Sequence, residues 1–433
     1  MTAPHADLLA RHRAVLPAWL SLFYDQPIEL VSGAGRRVRD AEDHEYLDFF
    51  GGILTNMLGY AVPEVAAAVK AQVDRGIWHT STLYLIRAQI ALAEKIAELS
   101  GIPGAKVFFT NSGTEANEAA LLLATTARRS NQVIALRNSY HGRSFATVGI
   151  TGNRGWSASS LSPLQVTYAA HGYRYRSPFG HLPDAQFIAA AATDLRDLID
   201  QTTAGDVACM IAEPIQGVGG FAVPPDGLFA AYKQVLDEYG ILLISDEVQT
   251  GWGRTGEHFW GIQAHGVTPD AMTFAKGLGN GLAIGGVVAR GDLMDVVDAN
   301  SISTFGGNPI STSAALATLE YVLSHDLQAN AAKVGARLMT GLADLPARYP
   351  SVGDVRGRGL MIGIELVRPG TTVPAPERAA AVLEQARERG LLIGKGGLYG
   401  NVLRIAPPLT LTEAEADEGL AALTAAIAAS DAT

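Results

Sequence analysis

A chain of 433 residues is long enough for two domains and a well-buried core, at roughly 150 residues per domain. Its composition, 48% hydrophobic and 18% charged, is that of an ordinary globular protein, and the net charge of −10 argues against a nucleic-acid backbone as its main partner. No apolar run approaches the roughly 20 residues that span a bilayer, the N-terminus lacks signal-peptide character, and the single cysteine, Cys209, has no partner for an intrachain disulfide, so a cytoplasmic location and no membrane partner are expected.

Along the chain, RRVRDAEDHEYLDFFGG reads as a β-turn-β piece, so segment 1–60 is expected to pack with a small C-terminal domain. Across 61–309, short apolar or β-rich runs occur at 106–110, 132–137, 166–170, 207–213, 241–247, 271–276 and 285–290, with helical patterns such as 114–129 and 227–239 between them. Near-continuous apolar strands imply burial on both faces, hence an α/β domain with a mostly parallel sheet. Its ligand site belongs beyond the carboxyl ends of the strands, where glycine runs cluster (NSGTE, IQGVGG, KGLGNGLAIGG). Cys209, inside VACMIAE, reads as a buried inert thiol.

Residues 310–433 change character: helices at 311–325 and 327–344, a strand over 355–366, a helix near 376–389, then LLIGKGG and NVLRIAPP complete a smaller α+β unit. The last helix opens with Thr412 and Glu415 at capping-box spacing and places Leu420, Leu423 and Ile427 on one face.

Three pieces carry chemistry. In LLISDEVQTGWGRTG a buried strand runs into Asp246 and Glu247, and carboxylates taken out of water need a partner. A salt bridge or metal ligand is one reading, although no matching His/Asp cluster accompanies it and no metal is expected. The sharper reading makes Asp246 the partner of a protonated ring nitrogen, which lets the ring accept electrons from a carbanion. In AMTFAKGLGNG, Lys276 ends an apolar strand among glycines; a lone lysine is ordinarily a solvated charge, but desolvation there lowers its pKa and favours imine chemistry. In FFTNSGTEANEAA, Ser112 and Glu115 have cap spacing, and Ser112, Gly113 and Thr114 also offer hydroxyls and free N–H groups at a helix N-terminus, a phosphate cradle. The cap and the cradle can coexist.

In order and wording these pieces resemble the class III aminotransferases, the family of ornithine, 4-aminobutyrate, acetylornithine and alanine–glyoxylate enzymes; the resemblance runs from LDFFGGI to VLRIAPPL. It implies pyridoxal 5′-phosphate as cofactor and fold type I, with a large domain built on a mostly parallel seven-stranded sheet plus a smaller α+β domain. Lys276 would form the Schiff base and then carry the proton between substrate and cofactor, and Asp246 would pair with the ring nitrogen. Val248 and Tyr140 would lie on the two ring faces, Gln249 would bond the ring hydroxyl, and Gly113 and Thr114 would hold the phosphate. For Val248 plain core packing is an equal alternative. Thr304, in STFGGNP, would reach the phosphate of a second subunit, making the enzyme a homodimer, or a dimer of dimers, with shared sites; otherwise it is a turn residue. His141 is left outside the catalytic set as structural.

The resemblance extends to substrates, a small-molecule amino donor and a keto acid acceptor. Arg404 would grip the substrate carboxylate with two parallel hydrogen bonds. Arg143 would bind a distal carboxylate, unless it is a surface or phosphate-side cation, and Glu213 would alternately mask and release an arginine. Those residues favour glutamate and 2-oxoglutarate as exchange pair. A competing signal, in WHTST, EHFWGIQAHGVTPD and VGDVRGRGLMIGIEL, resembles the alanine–glyoxylate branch, which uses pyruvate or glyoxylate and accepts β-amino acids. Racemisation, decarboxylation or phosphate elimination on the same scaffold share the core motifs. Trp78, Tyr84 and Trp252 either line the access channel or pack in the core.

Overall fold

The computed structural model describes residues 4–431; the outermost residues of the segments 1–60 and 310–433, and the first residues of the N-terminus read for a signal peptide, lie outside the described residues. At the centre is a seven-stranded sheet ordered Ala105–Thr110, Gly285–Arg290, Ala271–Phe274, Leu242–Asp246, Cys209–Ala212, Gln132–Leu136, Gln165–Ala169. Gly285–Arg290 runs antiparallel to both neighbours and the other six strands run parallel.

The inner strands are apolar throughout because both faces are covered. Along them, side chains alternate between two cores: Met210, Leu243, Met272 and Phe274 enter the larger, Cys209, Ile211, Ile244 and Ala271 the smaller. Each large side chain so buried contributes about 1.5–3 kcal/mol, which holds the strand ends still enough to carry a site. Burial pushes the Cys209 thiol up to about 12, which leaves it inert.

Two further sheets, each of four strands, accompany the seven-stranded one. One joins Leu30–Ala34, Arg37–Asp40 and Glu45–Asp48, antiparallel, to Leu391–Leu392, which pairs in parallel with Glu45–Asp48. The other is antiparallel, in the order Val352–Arg358, Met361–Leu366, Val402–Ile405, Gly394–Gly396. Here the expectation of one strand over 355–366 is corrected: Gly359, at φ +55°, turns the chain so that Arg358 pairs with Met361, and the run becomes a hairpin. Helices Pro309–Ser324, Leu327–Leu342, Pro376–Glu388 and Glu413–Asp431 complete this part. The last opens with a reciprocal cap, Glu415 N–H donating to Thr412 Oγ1 and Thr412 N–H to the Glu415 carboxylate. Among the described residues no helix is long and apolar enough to cross a membrane, and no group of three His, Cys, Asp or Glu could hold a metal.

Candidate active site

Beyond the carboxyl ends of the parallel strands lies a cavity of about 350 Å³, within the ~300–1,000 Å³ common for small-molecule sites. Short segments that follow the strands build much of its wall. Ser112, Gly113 and Thr114 open the helix Gly113–Arg128; Tyr140 follows Gln132–Leu136; Glu213 follows Cys209–Ala212; and Asp246, Val248 and Gln249 follow or end Leu242–Asp246. Lys276 enters from the strand Ala271–Phe274.

Lys276 sits at φ +45°, a left-handed conformation that an L side chain adopts at a cost of about 1–2 kcal/mol. Strain of this kind persists where the surroundings over-determine it. Burial lowers its pKa; Asp246 and Glu213 oppose that shift and Arg404 adds to it. The neutral amine that imine formation requires is therefore easier to reach than on a surface lysine.

Asp246 and Glu247 point to opposite sides, as successive strand residues must. Glu247 is a structural acid, accepting from the N–H groups of Gly261 (2.8 Å) and Ile262 (2.9 Å) and from the hydroxyls of Ser245 and Thr250. Asp246 faces the cavity. Its Oδ2 meets His141 Nδ1 at 2.7 Å and Asn117 Nδ2 at 2.8 Å, while Oδ1 accepts the Val248 N–H at 3.1 Å. Asn117 is held in turn by Thr273 Oγ1, which donates to its amide oxygen at 2.7 Å. Neither Asn117 nor Thr273 stood out in the sequence; Asn117 lies five residues after Ser112, one helical turn and a half inward, and that offset was the available signal.

At the helix N-terminus Ser112 Oγ accepts the Glu115 N–H at 3.2 Å, while the Glu115 carboxylate reaches back to Asn111 N–H at 2.6 Å, one residue earlier than the expected box. The N–H groups of Gly113 and Thr114 take no acceptor among the described residues and remain for an anion. Gly113 packs on Val248, whose Cγ atoms would lie 3.1 Å from a Cβ there. Gln249 Oε1 and His141 Nε2 are buried without a partner among the described residues. A ring bearing an anionic group, a hydroxyl and a protonatable nitrogen would satisfy the helix N-terminus, Gln249 and Asp246 together, so the residues fit pyridoxal phosphate.

Glu213 does not mask an arginine here. Its two oxygens accept the N–H groups of Tyr140 (2.9 Å) and Gly217 (2.8 Å), and burial, with the Asp246 charge adding, pushes its pKa up to about 7 against the opposing effect of His141. Arg404, on Val402–Ile405, is fully buried, and no carboxylate lies within 4.0 Å of it among the described residues. It donates to Gly217 O and Lys395 O, both at 3.3 Å, and stacks over Phe50 and Phe221. Burial pulls its pKa down to about 10. A buried guanidinium lacking a counter-charge is a receptor for one.

The other residues considered for the site stand outside the cavity wall. Arg143 is exposed, its guanidinium 6.0 Å over the Trp19 ring. Thr304 is exposed on the turn next to Ser303, whose hydroxyl meets Asn111 Nδ2 at 3.3 Å. Trp252 takes the core alternative: it is 2% exposed and packs on Trp260 at 4.6 Å and Phe274 at 5.6 Å. Trp78 and Tyr84 are exposed away from the cavity.

The sequence profile of aminotransferase class-III matches residues 24–427. The chain is 41% identical to alanine–glyoxylate aminotransferase 2 homolog 2, mitochondrial, of Arabidopsis thaliana, over 96% of this chain and 86% of that protein. It is 37% identical to the leucine/methionine racemase of Thermococcus litoralis, over 98% and 95%. Among solved structures, an (S)-enantioselective ω-transaminase of Thermomicrobium roseum superposes with a TM-score of 0.90 at 33% identity, covering 99% of this chain and all of that one.

Proposed function

This chain belongs to the class-III aminotransferases, pyridoxal-phosphate enzymes that move amino groups, and from that premise we propose that its cavity joins an amino acid or ω-amino donor to a keto acid acceptor through the residues gathered there. The observation that carries the reading is Arg404, buried with no carboxylate within 4.0 Å among the described residues, in the electrostatic field of Lys276 and Glu213. A substrate carboxylate supplies the missing charge and leaves the amino end free to meet the lysine.

When bound, the cofactor supplies an aldehyde for amine capture and a ring that accepts electrons. The roles proposed for the protein are these. Lys276 Nζ would hold the cofactor aldehyde carbon and would move a proton at the substrate Cα. Asp246 Oδ1 would take the ring N–H, with His141 and Asn117 fixing the carboxylate from behind. Val248 and Tyr140 would pack on the ring, Gln249 would bond its hydroxyl, and Ser112, Gly113 and Thr114 would hold the phosphate, all of them residues that line the cavity. Thr304 of a second copy reaches the same phosphate, which makes the unit a homodimer; support comes from its exposure and from the apolar surface of Ile77, Trp78, Leu83, Tyr84 and Leu85. A cytoplasmic location belongs to the same proposal, although the plant relative is named as mitochondrial.

For the acceptor, Arg143 favours 2-oxoglutarate with glutamate as its exchange partner: it lies close enough to Tyr140 to act on its phenol. A second reading, pyruvate or glyoxylate, is favoured by the position of Arg143 outside the cavity wall and by the name of the plant relative. Loss of the cofactor aldehyde absorbance with an amino donor, and its return with each keto acid, tests both. Racemisation of an enantiopure amino acid with no keto acid consumed would overturn transamination in favour of the racemase chemistry named for the Thermococcus relative.

A further inference from the structure

Arg404 has a second arginine in line with it. In the antiparallel sheet Arg356 pairs with Gly363 and Gly363 with Arg404, so the three stand in one row across neighbouring strands and share a face. Gly363 leaves a gap between the two guanidinium groups, and the turn Gly217–Phe221 fills it: a Cβ on Gly363 would lie 2.5 Å from Gly220 O. Each arginine holds one end of that turn. Arg404 Nη1 donates to Gly217 O at 3.3 Å; Arg356 donates to Gly220 O at 2.6 Å through Nη2 and to Phe221 O at 3.2 Å through Nε.

The two differ in what lies behind them. Arg356 meets Asp354 Oδ2 at 2.8 Å, Glu365 Oε2 at 3.2 Å and the Tyr173 hydroxyl at 2.5 Å, so its charge is balanced and its head fixed. Arg404 has no such carboxylate among the described residues. Gly217 O also accepts the N–H groups of Gly220 (3.1 Å) and Phe221 (3.3 Å), so it stays satisfied when Arg404 lets go. Meanwhile Gly217 N–H is bound to Glu213 and Val218 O to the Gly397 N–H at 2.9 Å. The turn therefore couples the cavity to the end of Gly394–Gly396, the strand paired with the one that bears Arg404.

The geometry points to Arg356 as a positioning residue for substrate: by clamping Gly220 and Phe221 it keeps the turn in place while Arg404 exchanges the Gly217 carbonyl for a substrate carboxylate. This rests on the reading that Arg404 binds that carboxylate.

The test uses the holoenzyme, with propionate, a carboxylate carrying no amine, as competitive inhibitor against the amino donor. Arg356→Met is expected to raise Ki for propionate and KM for the donor about tenfold, with kcat and cofactor Kd within about twofold of wild type, and Arg356→Lys to restore part of the loss. Gly363→Ala, which keeps both arginines but pushes on Gly220 O, is expected to shift Ki the same way and serves if Arg356→Met does not fold. A fall in kcat and cofactor affinity with Ki unmoved makes Arg356 a structural residue and overturns the inference. Arg404→Lys separates the two levels: if it leaves Ki unmoved, the carboxylate reading of Arg404 falls and takes the inference with it; if it raises Ki while Arg356→Met and Gly363→Ala do not, only the inference falls.

Discussion

His141 Nδ1 stands 2.7 Å from Asp246 Oδ2, and Asn117 Nδ2 shares that oxygen at 2.8 Å. Oδ2 is thereby saturated from behind, and Oδ1 is the atom left to take a donor from the cavity. Asn117→Ala removes one tie and strips the His141 carbonyl and the Thr273 hydroxyl of their partner. Buried groups left unsatisfied cost about 1–3 kcal/mol each, so a lower Tm is expected, with cofactor Kd raised about tenfold by a looser Asp246. Wild-type values for both in a calorimetric melt and a spectral titration would leave the network without a role.

Lys276→Ala should keep cofactor bound non-covalently yet lose turnover by at least ~10²–10⁴-fold, since the proton carrier goes with the amine. Because the site sits at φ +45°, Lys276→Gly should melt higher than Lys276→Ala, by about 1 kcal/mol of relieved strain. Borohydride trapping and paired melts check the two halves; equal Tm values would mean that the backbone relaxes when the side chain is removed.

The raised pKa of Glu213, about 7, sets a pH dependence. Its ionised form is disfavoured in the folded protein, so its contribution to stability is full below the ordinary carboxylate range and is lost as pH rises through 7. For binding, protonation removes a negative charge from the field of Arg404, and a substrate carboxylate should bind more tightly at pH 6 than at pH 8. Glu213→Gln should flatten that profile. A wild-type Ki for propionate that rises on acidification would reverse the assignment.

Gly217→Ala would place a Cβ 2.2 Å from the Gln249 amide. Since that amide is the end of a flexible side chain, the expected result is a displaced Gln249 rather than an unfolded protein: Tm nearly unchanged, an altered cofactor absorbance, and weaker cofactor binding by about tenfold. An unaltered spectrum would remove Gln249 from the ring hydroxyl.

Arg143→Ala is expected to impair 2-oxoglutarate by at least about tenfold in kcat/KM and pyruvate much less, because only the former has a distal carboxylate to lose. Equal effects on both acceptors would leave Arg143 as the surface cation that its 6.0 Å contact with Trp19 also allows.

The sheet strands were legible because both-face burial writes itself as unbroken apolar runs, and all seven formed where read. The cavity residues were legible because a cofactor needs special side chains at strand ends, and Lys276, Asp246 and Ser112–Thr114 are local to their motifs. The hairpin at Gly359 was not, since VRGRGLMIGIEL has the same apolar content whether the chain turns or runs on.

By itself, then, the amino-acid order determined the fold family, the cofactor and the strand-end residues that line the cavity, because each is encoded within a few neighbouring positions. Only the tertiary structure decided which partners those residues keep: Asn117 and His141 on Asp246, backbone rather than arginine on Glu213, and carbonyls rather than a carboxylate on Arg404. The reason is distance along the chain. Asp246 and Asn117 are 129 residues apart, Arg404 and Gly217 187 apart, and no local pattern encodes such a meeting.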